Sequence, residues 1–168
     1  MTPDETAGPA EQQSPVWRWW KSLSSDRGGR AELRRCGSTA EVAFTAPYHR
    51  LLKMLGSRLG ERDARRVAMA AAVLAHIERD APPGGSPART MGRPAGEGRG
   101  ATVSDSRFRT LLRTDNPDEL MRDLVRVVRQ LDRAAPVVAV FNDVVRWDER
   151  TRMRWAREYF EAAPHPHA

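Results

Sequence analysis

A chain of 168 residues has room for one domain or two small packed halves around a modest core. Its 40% apolar content and five Trp argue against wholesale disorder, its single Cys rules out an intramolecular disulfide framework and fits a reducing cytoplasm, and its longest apolar run, 67 to 75, is too short to span a membrane. The net charge of +6 favours polyanion partners such as nucleic acid; only Lys21 and Lys53 are lysines, so arginine supplies nearly all the positive charge, as a G+C-rich genome alone would also favour.

In chain order, residues 1–14 are polar and punctuated by Pro, which predicts a disordered leader. Pro15 then opens "PVWRWWKSLSS", a short helix whose Trp17, Trp19 and Trp20 read as packing residues. The next stretch, "DRGGRAELRRC" at 26–36, predicts a helix on which Arg27, Arg30 and Arg34 share one sector, flanked by Arg35. Cations at a helix start oppose the macrodipole by a few tenths of a kcal/mol, roughly. Gly28 and Gly29 cost about 1 kcal/mol each against Ala. A phosphate chain approaching the helix start would give both features a use. Cys36 is expected to be a small buried residue, not a nucleophile.

Two further helices follow in "APYHRLLKMLG" and the Ala-rich "ERDARRVAMAAAVLAHIERD", the latter ending before Pro82 and Pro83. Residues 81–104 hold most of the Gly and Pro and predict a long loop. Beyond it, "SRFRTLLR" sets Phe108, Leu111 and Leu112 on an apolar side, with Arg107, Arg109 and Arg113 projecting elsewhere. "NPDELMRDLVRVVRQLDR" carries an N-cap at Asn116, Pro117 at the first helical position and acids in the first turn. Its Leu120, Leu124, Val127, Val128 and Leu131 form one face, and Arg122, Arg126, Arg129 and Arg133 a stripe on the other. Two more helices meet at Trp147 and Asp148, and 164–168 form a frayed tail.

The expected fold is therefore all-α: two small packed helical halves, 15–80 and 105–163, joined by a long Gly/Pro-rich loop at 81–104. No run alternates apolar and polar residues convincingly enough for a sheet. Catalysis finds little support. His49 and His76 are isolated, no Cys or His cluster has zinc spacing, and "GEGRG" at 96–100 is not preceded by a strand or followed by Lys-Ser/Thr, as a phosphate loop would be. No cofactor or metal is expected. Arginine rows at helical spacing can instead follow a phosphate backbone without reading bases. A helical transcription regulator and a scaffold meeting acidic protein surfaces remain as alternatives at this point.

Taken in order, "RGGRAELRRC", "APYHRLLKML", "SRFRTLLRTDNPDELMRDLVRVVRQL", "APV" and "VVRWDERTRMRWAREYF" resemble the CasB family, the small subunit of the type I-E CRISPR complex Cascade. The resemblance covers most of 16–162 apart from the 81–104 loop. It implies a cytoplasmic, non-enzymatic helical subunit, present in two copies, that meets other Cascade subunits and guide RNA and holds target DNA, including the displaced strand of the R-loop. By position, Arg34, Arg35, Arg62, Arg107, Arg113 and Arg129 match basic positions of that family. Arg27, Arg30, Arg122, Arg126 and Arg133 rest on spacing alone, and Arg109 on its place in the basic set of "SRFRTLLR".

Overall fold

The structure is a computed structural model that describes residues 8–56 and 59–165. Eleven helices and one two-residue strand pair are present among them. The helices of the first half are α1 (Pro9–Gln12), α2 (Pro15–Ser22), α3 (Arg27–Arg35), α4 (Thr39–Val42), α5 (Ala46–Leu55) and α6 (Glu61–Ala75). After strand β1 (Arg79–Asp80) come α7 (Pro87–Gly92), α8 (Asp105–Arg113) and α9 (Pro117–Gln130). Strand β2 (Ala134–Ala135), α10 (Val137–Val145) and α11 (Glu149–Ala162) complete the chain. The fold is all-α, as expected.

Helix α6 is the centre. Its small side chains let neighbours approach from every side, and all nine residues from Val67 to Ala75 are buried. It packs against α3, α4 and α5 of its own half and against α9 and α10 of the other, so one apolar core runs through both halves. Trp19 and Trp20 lie in that core and donate their indole N–H groups to the carbonyls of Pro47 (2.9 Å) and Ile77 (2.9 Å), which satisfies a polar group that burial would otherwise leave unpaired. Trp17 is half-buried and donates to Asp80 (3.1 Å).

Helix α9 matches its sequence signals. The Asn116 side chain accepts from the N–H groups of Asp118 (3.0 Å) and Glu119 (3.1 Å), and Leu120, Leu124, Val127, Val128 and Leu131 are all buried. The helix stops at Gln130, however. Asp132 and Arg133 have φ values of 53° and 59°, a left-handed conformation uncommon outside Gly. This turn redirects the chain into β2, which pairs in parallel with β1 in the register Arg79–Ala134 and Asp80–Ala135.

The Gly/Pro-rich stretch departs furthest from expectation. Within 81–104, Ser86 caps α7 and Pro87 occupies its first position, while Ala88, Met91, Gly92 and Val103 are buried. The reason is close packing against α11: a Cβ on Gly92 would lie 2.4 Å from the Tyr159 carbonyl oxygen. Tyr159 stacks on Phe108 at 3.9 Å between ring centroids and donates its hydroxyl to the Val103 carbonyl (2.5 Å). Only the hairpin from Pro94 to Ala101, closed by an antiparallel bridge between those two residues, projects as an exposed loop. Of the leader, 1–7 lie outside the described residues, and Pro9–Gln12 form a helical turn instead of irregular chain. Cys36 is half-exposed, not buried, because α3 ends at Arg35. No helix among the described residues is long and apolar enough to cross a membrane.

Candidate nucleic-acid interface

The C-terminus of α6 leaves carbonyl groups that need donors. Two come from α3: Arg30 donates from Nε to Ala75 (3.1 Å) and from Nη2 to Ile77 (2.5 Å), and Arg34 donates from Nε to Ala75 (2.8 Å). Arg133 reaches the same end of α6 from the turn after α9 and donates to the His76 carbonyl (3.4 Å). Among the described residues one carboxylate pairs with them, Glu78, 3.2 Å from Arg34 and 3.8 Å from Arg133. Each guanidinium is held by backbone on one side, so its position is set before any ligand arrives.

The imidazole of His76 lies beneath this cluster, buried, with Nδ1 unpaired. Burial, with the positive charges of Arg129, Arg34, Arg133 and Arg30, lowers its pKa to about 4. His76 is thus neutral in the native protein across ordinary pH, whereas in the unfolded chain it takes a proton near its ordinary value of 6.5. The folded pKa is the lower one. The native state therefore loses stability as pH falls from 6.5 towards 4, with a slope of at most about 1.4 kcal/mol per pH unit. Urea denaturation at pH 6.5 and pH 5 is expected to show that loss, and His76→Leu to reduce it.

Arg129 connects this cluster to α9. Arg122, Arg126 and Arg129, at spacings of four and three, occupy one exposed face of the helix. Arg126 pairs with Asp123 (3.2 Å), while Arg122 and Arg129 have no ion pair among the described residues. A groove of about 390 Å³ between α8 and α9 brings Arg107 to the same side as Arg126. The structure thus brings together Arg30, Arg34 and Arg133 at the end of α6, then Arg129 and Arg126, then Arg107. Arg133 contributes from the turn and not from the predicted stripe.

Other predicted positions lie apart. Arg109 pairs with Asp105 (3.0 Å) and lies over the Phe160 ring at 5.7 Å, on the α11 side of α8. Arg113, Arg27 and Arg35 are exposed, and none has an ion pair among the described residues. Arg62 sits in a cleft near the other end of α6, with Arg65, Arg66 and Arg152. Sequence reasoning missed those three, as well as the role of Glu78 as counterion. The adjacency of Arg65 and Arg66 was the one local signal available.

The question posed by cations at the start of α3 now has an answer that differs between its two members. Asp26 caps the helix by accepting from Gly29 (3.0 Å) and pairs with Arg50 (2.6 Å), which holds its carboxyl below the usual carboxylate range through the Gly29 N–H first and Arg50 second. Arg30 serves α6 instead of its own helix. Arg30→Ala is expected to lower stability by about 1–2 kcal/mol, since the two carbonyls keep only Arg34 and Trp20 as donors. Arg27→Ala should change stability by only a few tenths of a kcal/mol, roughly, and towards gain. Thermal denaturation of the two variants would check the opposite signs.

Comparison with known proteins agrees with this architecture. The crystal structure of CasB from Thermus thermophilus is similar to the chain with a TM-score of 0.61 and 24% identity, covering 89% of this chain and 100% of that one, a likeness that speaks for the fold. A comparison with curated proteins finds no match. The profile of the family described as CRISPR-associated protein Cse2 matches residues 29–160, a span that runs from the first turn of α3 almost to the end of α11 and takes in every arginine of the swath. On that match over most of its length, the chain belongs to the CRISPR-associated Cse2 family.

Proposed function

We propose that the chain is a non-catalytic subunit of an RNA-guided Cascade complex, working beside the other subunits and a second copy of itself. In this role it holds target DNA, including the displaced strand, through sequence-independent phosphate contacts. The observation that carries this reading is the run of arginines from the end of α6 across α9 to α8, in which Glu78 and Asp123 are the only carboxylates paired with the cations among the described residues. Guide pairing supplies sequence recognition, and exchange of a DNA duplex for an RNA–DNA duplex is nearly balanced in energy, so backbone contacts can decide whether the opened state persists. Such contacts need fixed cations and no base reader. The absence of Asn or Gln among the swath's cations, apart from the neighbouring half-buried Gln130, suits that task.

The test is the salt and sequence dependence of R-loop formation by the assembled complex. Binding should fall steeply with salt, with a slope of about 0.9 per neutralised phosphate. The contribution of this subunit should be equal for targets of unrelated sequence. Competition by one particular duplex sequence would overturn the reading in favour of a transcription regulator, as would half-site symmetry in the DNA bound by a dimer.

A further inference from the structure

Near the N-terminal end of α6, about 20 Å along the helix from the arginine swath, lies a cleft of about 520 Å³. Arg62, Arg65 and Arg66 line it from α6, and Arg152 from α11. The rest of its lining is the carboxylates Glu61 and Asp115, the half-buried Pro117, and Met69, Leu120 and Trp147, which are almost completely buried. Arg66 is fixed by donating to the Val145 carbonyl (3.2 Å), and Arg152 lies over the Trp147 ring at 5.4 Å. Arg62 and Arg65 are exposed, and neither has an ion pair among the described residues.

The cleft already contains an example of what it can hold. Asp115, from the turn between α8 and α9, places its carboxylate 2.6 Å from Nη2 of Arg152 while its side chain remains 81% exposed. This is a one-sided contact, and it leaves Arg62 and Arg65 without an ion pair among the described residues. We propose that the cleft is a docking site for a carboxylate-bearing segment of a partner protein, in which Asp or Glu engages Arg62 and Arg65 and an adjacent apolar side chain rests against Pro117. The shape favours this partner over a nucleic-acid strand. The site is a short concavity between helices, and Glu61 and Asp115 at its edge oppose a continuous run of phosphates more than they oppose a single carboxylate. A peptide offers single charges and apolar groups side by side. This proposal does not depend on the nucleic-acid reading of the swath.

The test uses the full chain, isotopically labelled, with the indole N–H resonance of Trp147 as reporter, assigned through Trp147→Phe. The probes are blocked peptides Glu-Leu-Glu, Gln-Leu-Gln and Glu-Gly-Glu and a mixed-sequence single-stranded DNA of about 12 nucleotides, a length within the range that proteins grip along a groove. Glu-Leu-Glu is expected to shift the Trp147 signal. Gln-Leu-Gln at the same concentration should leave it in place, and Glu-Gly-Glu should bind about threefold more weakly, as expected for partial loss of one apolar contact. Combining Arg62→Glu with Arg65→Glu should weaken Glu-Leu-Glu at least about tenfold through like-charge repulsion. Should that variant fail to fold, Arg62→Ala with Arg65→Ala should still weaken it. A Trp147 shift with DNA but not with Glu-Leu-Glu would overturn the proposal, as would equal shifts with Glu-Leu-Glu and Gln-Leu-Gln, or no shift with any probe.

Discussion

Reversing Arg107, Arg126 and Arg129 to Glu together is expected to lower the affinity of the assembled complex for target DNA about 100-fold, close to 3 kcal/mol. All three side chains are exposed and none holds a carbonyl of the core, so the fold should survive. Arg30 and Arg34 are unsuitable for this purpose, because both hold the end of α6 and their loss would mix stability with binding. The loss should be the same for every target sequence, and the slope of log affinity against log salt should become shallower by about 0.9 for each lost phosphate contact. Mobility-shift titrations between about 50 and 200 mM salt cover the range in which this term changes most visibly. The necessary control reverses Arg146, Arg150 and Arg157, which are also exposed but lie just after α10 and on α11. It changes net charge by the same amount. Equal losses from the two triple variants would mean that overall charge, and not the swath, attracts the nucleic acid.

The second large effect concerns stability. Gly92→Ala is expected to destabilise the protein by about 2–3 kcal/mol, lowering the melting temperature by about 5–10 °C for a domain of this size. Helix propensity alone predicts the opposite, a gain of up to about 1 kcal/mol for Ala over Gly. Sterics decide the sign: the new methyl would meet the Tyr159 carbonyl oxygen at 2.4 Å and the Tyr159 carbonyl carbon at 3.1 Å, both backbone atoms that cannot rotate away. Gly100→Ala in the exposed hairpin, where nothing lies within 4 Å of the added carbon, serves as the comparison and should leave the melting temperature nearly unchanged. Calorimetry of the two variants is sufficient.

What could be read from sequence was what is local. Asn116 and Pro117 announce α9 because capping involves residues two or three apart, and the burial of Leu120, Leu124, Val127, Val128 and Leu131 follows from period alone. The end of the same helix was not legible, since the left-handed turn at Asp132 and Arg133 feeds a strand whose partner is Arg79 and Asp80, more than fifty residues earlier. Helix α7 had a signal in Ser86 followed by Pro87, but the surrounding Gly and Pro outweighed it; Gly92, which counted against a helix, is what lets that helix approach α11. Arg30 was measured against the dipole of its own helix, while its partners are carbonyls at and just beyond the end of another helix, 45 and 47 positions away. The cleft around Arg62 was hidden for the same reason. Arg65 and Arg66 look like a solvated face until Trp147 and Arg152, from the far end of the chain, are seen to close it.

The burial of α6 on all sides has a kinetic consequence. A helix whose last nine residues are buried without interruption cannot expose its amides by fraying or by lifting one neighbour, because α3, α4, α9 and α10 would all have to part. Hydrogen exchange in that segment should therefore proceed only through global opening, whereas the exposed Pro94–Ala101 hairpin should exchange through local opening. With arginines anchored at each end, such a helix acts as a fixed-length spacer, so a strand held at one end and a partner held at the other would be kept at constant separation for as long as the protein stays folded.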